Sequence, residues 1–182
     1  MRNHQTHIGD FTLRLGQLDD IIVLMNLNKS WLVADLHNCD KTNGFLFGDA
    51  YSHNDFKYFV TNNEIVVAEI ENTIRGYYLF DNYSDNGTTR LYGTILNSLK
   101  QKGTIGQTNI CKRAQVAIDR QFQNLDLSRQ LLMLLIDQNR HKYDIVFSVV
   151  AKDNPKMKAH EKIGWTIIDE DENLFFVTLA LT

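Results

Sequence analysis

Cysteine is scarce in this sequence of 182 residues. Its two cysteines, Cys39 and Cys111, stand far apart, and neither has a second Cys or a His at the spacing of metal ligands. The pair therefore gives no sign of a disulfide framework or of a zinc site. Reduced thiols in a cytosolic protein fit this usage best, and we expect no metal site.

Long apolar runs and a surplus of basic residues are missing as well. No run approaches the roughly 18 apolar residues that would span a membrane, and the polar first ten residues lack the apolar core of a signal peptide. The 19 Lys and Arg residues are outnumbered by 22 Asp and Glu residues, without the basic excess that binding to a phosphate backbone requires. We therefore expect a cytoplasmic protein that binds neither membranes nor nucleic acids.

The composition that is present is that of an ordinary globular protein. Apolar residues make up 43% and charged residues 23% of the sequence, so enough apolar surface is available to form a core. A chain of this length can bury one sizeable core. We expect a single domain over residues 1–182.

The N-terminal half predicts strands on both sides of a helical region. Residues 11–15 alternate apolar and polar side chains as a strand does, whereas residues 17–32 repeat apolar side chains at helical spacing. The β-rich runs 65–70 and 74–80 are separated by three polar residues, which predicts an antiparallel hairpin. The polar segment 82–109 then predicts an inserted lid or flap around a short helix-like stretch.

The C-terminal third predicts a β-α-β unit followed by a helix and two strands. In order, its elements are strand 114–118, helix 125–139, strand 144–151, helix 155–162 ending at Gly164, strand 165–169 and strand 174–181. The two strands of a β-α-β unit are normally parallel. The whole chain thus predicts an α/β (α+β) fold with a mixed, mostly antiparallel central sheet of about seven strands flanked by helices.

Two segments of this third resemble sequence motifs of one enzyme family. Residues 154–165, Asn-Pro-Lys-Met-Lys-Ala-His-Glu-Lys-Ile-Gly-Trp, resemble an ending of the form Tyr-or-His-Glu-Lys-x-Gly-Phe, with His160 where Tyr is usual. Residues 115–119 and 123–132 look like the strand and the helix start that hold the pyrophosphate of CoA. In these motifs and in its order of elements, the sequence resembles the GNAT superfamily of N-acetyltransferases.

The resemblance implies an acyl-CoA N-acyltransferase fold with acetyl-CoA as the cosubstrate. It also implies transfer of the acetyl group to a primary amine of a small molecule or a peptide, by direct attack in a ternary complex. The implied CoA-binding residues are Val116, Ala117 and Ile118 on the strand, Gln123, Asn124, Leu125, Asp126, Leu127, Ser128 and Arg129 at the helix start, and Asn154 and His160.

The helix start departs from the family pattern at two positions. Asp126 stands where the first glycine belongs, and Ser128 takes the place of a Gly or Ala. A carboxylate that faced a pyrophosphate would repel it, although Arg129 could offset part of that charge. The alternative is that Asp126 caps the helix and points away from the ligand. Both interpretations remain open.

The candidates for proton transfer are a histidine and three carboxylates. An imidazole with a pKa near 6.5 could protonate the leaving thiolate, so His160 is the candidate acid, although it could also simply bond a backbone carbonyl. Glu69, Asp81 and Asp119 are the candidate bases, and each could equally be an ordinary exposed carboxylate. Many members of the family use a water chain, so none of the three is indispensable.

Two other functions fit the same fold. A catalytically impaired protein could bind or sense acyl-CoA, as the carboxylate of Asp126 suggests. An interaction protein could instead use segment 82–109 as its contact surface. The sequence leaves the acceptor amine and the oligomeric state open, a homodimer included.

Overall fold

The computed structural model describes residues 6–8, 10–36, 38–106, 108–123 and 126–181. The strands in these ranges are β1 (Thr6–Ile8), β2 (Phe11–Leu15), β3 (Ile65–Ile70), β4 (Thr73–Asp81), β5 (Ile110–Cys111), β6 (Arg113–Ile118), β7 (Ile145–Ala151), β8 (Thr166–Glu170) and β9 (Leu174–Ala180). The α-helices are α1 (Ile21–Lys29), α2 (His53–Thr61), α3 (Gly87–Gln101), α4 (Leu127–Asn139) and α5 (Met157–Lys162).

The strands form two sheets. The first sheet has the order β1-β2-β3-β4-β6, and every neighbouring pair in it is antiparallel. The second sheet has the order β5-β7-β9-β8, in which only the β5 and β7 pair is parallel. The predicted mixed, mostly antiparallel class is confirmed. The described residues contain more strands than the seven expected, because β1 and β5 are too short to show a pattern in the sequence.

The two sheets separate between β6 and β7. Parallel pairing joins Ile110 to Ile145 and Cys111 to Val146, and β6 then begins after Lys112 and, among the described strands, pairs only with β4. Residues 114–118 and 144–151, the strands of the predicted β-α-β unit, share no ladder of backbone hydrogen bonds, and the parallel pairing of this unit is confined to β5 and β7. β6 and β7 diverge at this point, and no described strand pairs with the edge of β6 that faces β7.

Helices cover both faces of the first sheet. On one face, the buried residues Leu127, Leu131 and Leu135 of α4 pack in a cluster that includes Phe80. On the other face, α1 and α2 enclose a second cluster, whose side chains include Phe56 of α2. The helical spacing at residues 17–32 and 125–139 predicted α1 and α4, whereas the sequence did not specify α2 as a helix.

Segment 82–109 contributes a packed helix rather than a lid. The 15-residue helix α3 buries Tyr92, Leu96 and Leu99 against Phe147 and Phe176 of the second sheet. Its N-cap is a side-chain amide, and the hydroxyl of Tyr92 donates to the carbonyl oxygen of Val149 at 3.1 Å. The prediction of a lid included a helix-like stretch within the segment, but not the packing of that helix on one face of the second sheet.

The ends of the predicted helices and turns are set by local chemistry. Ser52 and Asp55 form a reciprocal capping box at the start of α2. Gly164 has φ of +104°, the left-handed conformation that glycine adopts readily after a helix, and it directs the chain from α5 into β8. No helix in the described ranges combines the length and the apolar character that crossing a membrane requires.

Packing of α3 can be tested by shortening two of its leucines. Leu99 is 1% exposed and Leu91 is 40% exposed on the same helix. Leu99→Ala should lower the free energy of unfolding by about 2–5 kcal/mol, because it opens a cavity in the core. Leu91→Ala, the matched control, should stay within about 0.5 kcal/mol of the parent protein. Urea denaturation measures the free energy of unfolding of both variants. Equal losses for the two variants would show that the packing of α3 contributes little to stability.

Candidate functional site

The divergence of β6 and β7 opens a cleft of about 200 Å³ between the two sheets. Its walls are residues of β6, of β7 and of α5, together with loop 43–47. Most of the lining is apolar, with a small number of polar side chains among it. This is the usual character of a site for an organic ligand.

The backbone of β6 turns polar groups into this cleft. The N–H of Asp119 donates to the carbonyl oxygen of Arg75 at 2.6 Å, and Ala117 lies opposite Tyr77 in the same register. Bonded residues alternate along an antiparallel pair, so Val116 and Ile118 turn their N–H and C=O groups away from β4. No described strand pairs with that edge of β6. These backbone groups are therefore free to bond a ligand that lies along the strand.

The start of α4 lies beyond the C-terminal end of β6. Gln123 and Ser128 line the cleft, whereas the side chain of Leu127 is buried in the core. Asn124 and Leu125 lie outside the described residues. The structure thus brings two of the predicted pyrophosphate residues together with the edge of β6.

Asp126 precedes α4 but does not cap it. Its side chain accepts no bond from the helix backbone, so the capping interpretation does not hold. Its Oδ2 atom lies 3.9 Å from Nη1 of Arg129 and 3.4 Å from Nε2 of Gln130, and both charged side chains are largely exposed. Neither Asp126 nor Arg129 lines the cleft. An exposed pair of this kind holds the two side chains only loosely.

His160 lies on α5 with its ring at the cleft. It is half-buried, and it packs edge-to-face on Trp165 with 6.5 Å between the ring centroids. Burial among protein atoms disfavours the charged imidazole and lowers the pKa of His160 to about 4. No described residue hydrogen-bonds its ring nitrogens, so the backbone-carbonyl alternative is not observed. At neutral pH this histidine is therefore an uncharged group that faces the cleft.

Tyr78 places a hydroxyl group in the same cleft. Its ring is buried, and its hydroxyl accepts a hydrogen bond from Nε1 of Trp165 at 3.2 Å. Burial raises the pKa of Tyr78 well above its usual value, so the hydroxyl keeps its proton at neutral pH. The sequence gave this tyrosine no chemical role, because it stands between the buried residues Tyr77 and Leu79 on β4 and belongs to no motif.

Asn154 holds the loop that closes one side of the cleft. Its Nδ2 donates to the carbonyl oxygen of Phe45 at 3.1 Å, and its Oδ1 accepts from the N–H of Lys156 at 3.0 Å. Both ends of the side-chain amide are therefore engaged within the protein. Asn154 still lines the cleft, together with Lys156.

Glu69 and Asp119, two of the predicted bases, do not line the cleft. Glu69 pairs with Arg14 at 2.5 Å, and Asp119 pairs with Arg75 at 3.1 Å. Asp119 also accepts from the N–H of a residue two positions on, which shapes the turn after β6. Each carboxylate has an arginine partner away from the cleft, so the geometry gives neither one access to a substrate amine in this cavity.

Asp81, the third predicted base, is enclosed at the end of β4. Its carboxylate accepts from the hydroxyls of Tyr51, Ser84 and Thr89 and from the N–H groups of Tyr83 and Ser84. A fully buried carboxylate needs such bonds to offset the loss of water. The arrangement ties β4 to the start of α3 and does not open onto the cleft.

Two polar residues of β6 that the sequence did not single out also line the cleft. Arg113 and Gln115 are buried, and they share the face of β6 that looks toward α1 and α2. In the sequence, the one sign of these two residues is that they are polar side chains in a strand that is otherwise apolar.

The charged residues of the cleft are basic. Arg113 and Lys156 are cationic, and the described lining contains no Asp or Glu. The cleft therefore favours anionic over cationic ligands.

Comparison with protein-family models gave no match, and comparison with curated proteins also gave none. Solved structures do match over almost the whole chain. The protein yncA of Salmonella typhimurium, a proposed acetyltransferase solved with its cofactor acetyl-CoA, is 16% identical, with a TM-score of 0.62 over 96% of this chain and 95% of that one. A GNAT-family acetyltransferase of Listeria monocytogenes is 12% identical, with a TM-score of 0.63 over 97% of this chain and 99% of that one.

A third match is a chimera of a spermidine N-acetyltransferase from Vibrio cholerae. It is 14% identical, with a TM-score of 0.55 over 95% of this chain and 96% of the chimera. Each likeness covers more than nine-tenths of both chains, so it concerns the architecture as a whole. The chain therefore has the GNAT acyl-CoA N-acyltransferase fold that its sequence motifs indicated.

Proposed function

We propose that the protein is an N-acetyltransferase that moves an acetyl group from acetyl-CoA to a primary amine. The observation that carries the proposal is the edge of β6, where the backbone groups of Val116 and Ile118 face an open cleft next to the start of α4. An extended amide chain, such as the pantetheine arm of CoA, can bond such an edge much as a strand would. The fold shared with the solved acetyltransferases supports the same conclusion.

The start of α4 would hold the pyrophosphate. Backbone N–H groups at a helix N-terminus attract phosphate, and Gln123 and Ser128 stand there on the side of the cleft. Lys156, across the cleft, adds a positive charge. The site therefore offers both the backbone groups and the charge that a CoA molecule needs.

The reaction forms an N–C bond and breaks the C–S bond of the thioester. The amine nitrogen attacks the carbonyl carbon, the sulfur leaves as a thiolate, and the proton lost by the nitrogen ends on the sulfur. Because the described lining of the cleft has no carboxylate, water or the departing thiolate takes the proton from the amine. The N–H of the neutral His160 ring and the hydroxyl of Tyr78 are two groups of the cleft that would donate a hydrogen bond to the thiolate.

Two rival functions share the fold. A protein that only binds or senses acyl-CoA is favoured by the carboxylate of Asp126, which stands at the start of α4. An interaction protein that uses segment 82–109 has less support, because α3 buries its apolar face within the molecule. Assembly as a homodimer remains compatible with all three functions.

The proposed function is tested first by binding. Isothermal titration of the protein with acetyl-CoA and with CoA should show saturable binding, and release of free thiol should then appear with a panel of amines. Absence of binding by both nucleotides at about 1 mM, a concentration at which even weak complexes form, would exclude the enzyme and the sensor together. Binding of acetyl-CoA without thiol release from any amine would favour the sensor.

The role of His160 is tested by comparing two variants across pH. His160→Phe should reduce kcat by about 100-fold, the effect of losing one donor to a developing negative charge, with the Kd of acetyl-CoA unchanged. His160→Gln, which keeps a neutral N–H donor, should retain more activity. The parent protein and His160→Phe act on the same amine. The ratio of their kcat/KM values therefore removes the effect of the amine's own titration.

That ratio should be constant between about pH 6 and pH 8, because the imidazole has a pKa of about 4 and gains its proton only as the pH falls through that value. A ratio that rises as the pH is lowered through about 6.5 would show that the charged imidazole is the acid. A ratio near one at every pH would mean that His160 takes no part in turnover.

The charge of Asp126 is tested by Asp126→Asn. Removing a carboxylate from the start of α4 should tighten CoA binding by about fivefold at low salt, the factor for roughly 1 kcal/mol, and by less at high salt. Pantetheine, which has no phosphate, should bind both proteins equally. Asp137→Asn, on the exposed far end of the same helix, is the matched control. Equal CoA affinity for all three proteins would show that Asp126 does not act on the pyrophosphate.

A further inference from the structure

Arg113 is a buried cation for which the described residues provide no ion-pair partner. Its side chain is 1% exposed, and Nη2 donates to the carbonyl oxygen of Phe47 at 3.2 Å. Its guanidinium lies over the rings of Tyr51 and Tyr92, at 4.7 Å and 5.5 Å from their centroids. Within the described chain, Nη1 has no hydrogen-bond acceptor, and no carboxylate lies within ion-pair distance of the guanidinium. A buried cation with an unfilled bonding position destabilises the fold unless another group supplies a hydrogen-bond acceptor.

The buried carboxylate closest to it in the sheet is already engaged. Asp81 stands opposite Arg113 in the register of β4 and β6. Its oxygens are bonded by the hydroxyl of Tyr51 and by the other donors at the start of α3. The two charges attract each other through the protein, but Asp81 gives the guanidinium no direct contact. The open bonding position of Arg113 therefore remains.

Gln115 presents a second donor, and the surrounding bonds fix its orientation. The N–H of Tyr51 must donate, so the atom of Asn28 that it meets at 3.2 Å is Oδ1. The Nδ2 of Asn28 then donates to Oε1 of Gln115 at 2.7 Å, and the hydroxyl of Tyr77 donates to the same oxygen at 2.7 Å. The Nε2 group of Gln115 therefore remains as an unused hydrogen-bond donor, since no described residue accepts from it.

The two donors belong to one place in the cleft. Arg113 and Gln115 are two positions apart on one strand, so their side chains share a face and lie about 7 Å apart at the backbone. Both line the cleft. From Arg113 to Ile118, β6 spans about 17 Å, so these donors are at the opposite end of the strand from the start of α4. A ligand with its phosphates at α4 and its arm along β6 therefore brings its acyl end toward them.

We propose that Arg113 and Gln115 bind a carboxylate at this inner end of the cleft. A carboxylate has two oxygens that can accept from a guanidinium and from an amide NH₂ at once. The described lining contains no carboxylate of the protein that would compete for these donors or that would attract a polycation. The proposal rests on the proposed acetyltransferase function, and it names the class of substrate: one that carries a carboxylate.

The carboxylate has two chemical sources. It belongs either to the acceptor, as in an amino acid, or to the acyl group, as in a dicarboxylic acyl-CoA. In the first case transfer to an amino acid should exceed transfer to its carboxamide. In the second, succinyl-CoA or malonyl-CoA should bind more tightly than acetyl-CoA or propionyl-CoA. The two comparisons separate the sources because each varies one substrate at a time.

The decisive variant is Gln115→Glu. Glutamate keeps the oxygen that Asn28 and Tyr77 bond, but it replaces the Nε2 donor with a second oxygen and adds a negative charge beside Arg113. This charge repels a ligand carboxylate and offers the guanidinium an internal partner. Gln121→Glu adds the same charge at an exposed position that does not line the cleft, and is the control. Arg113→Lys, which keeps the charge but loses the planar fork, is a second variant.

In the parent protein we expect a preference for the carboxylate of at least about tenfold in kcat/KM or in Kd in one of the two comparisons, the factor for one charge-assisted hydrogen bond. Gln115→Glu should abolish that preference and Arg113→Lys should reduce it, while Gln121→Glu leaves it intact. Each preference is expressed as a ratio of two ligands measured with the same protein, so a uniform change in CoA affinity caused by a substitution in the cleft cancels.

The proposal is overturned if the parent protein shows no preference for the carboxylate in both comparisons, or if Gln115→Glu leaves an observed preference unchanged. Both outcomes would leave the acetyltransferase function standing as long as acetyl-CoA binds and thiol is released. Failure of acetyl-CoA to bind the parent protein would instead reject the acetyltransferase function itself. In that event, calorimetry with amino acids and their carboxamides, without CoA, still decides whether the two donors bind a carboxylate.

Discussion

The rest of the structure depends on the separation of β6 from β7. Over two residues, Ile110 and Cys111, the second sheet takes β5 as a parallel partner, and then the chain leaves it to join β4 in the first sheet. A strand edge without a partner is normally covered or paired, because its backbone groups need hydrogen bonds. Here the edge opens onto a cavity, so the unsatisfied bonding capacity of Val116 and Ile118 becomes a means of binding a ligand.

The charges around this cleft have a consistent sign. Arg113 and Lys156 line it, while Asp81, Glu69 and Asp119 are bonded elsewhere by hydroxyls, backbone N–H groups or arginines. Potential in a narrow, poorly solvated cleft is stronger than on an open surface, so two cations suffice to select for anions. Asp126 is the exception, and because it is largely exposed, its repulsion of a phosphate is screened by water and salt.

Periodicity in the sequence predicted most elements, since alternation and helical spacing report which face of a strand or helix is buried. Periodicity did not predict the features of the fold that depend on tertiary contacts. The packing of the helix of segment 82–109 on the second sheet and the pairing of β6 both depend on strands that are distant in the chain. Motifs found His160, Gln123 and Ser128, which line the cleft. Arg113 and Gln115 were missed because a polar residue in a buried strand has no pattern of its own until the fold shows what surrounds it.

Burial changes which chemistry the motif histidine can perform. An imidazole with an ordinary pKa would be partly charged near neutral pH, but the surroundings of His160 lower its pKa to about 4, so the charged form is rare there. A neutral ring can still donate one N–H to a developing thiolate. Tyr78, whose hydroxyl accepts from Trp165 and keeps its own proton, supplies a second uncharged donor. In the proposed transfer, the cleft would therefore stabilise the leaving sulfur by neutral hydrogen bonds rather than by proton transfer from a charged acid.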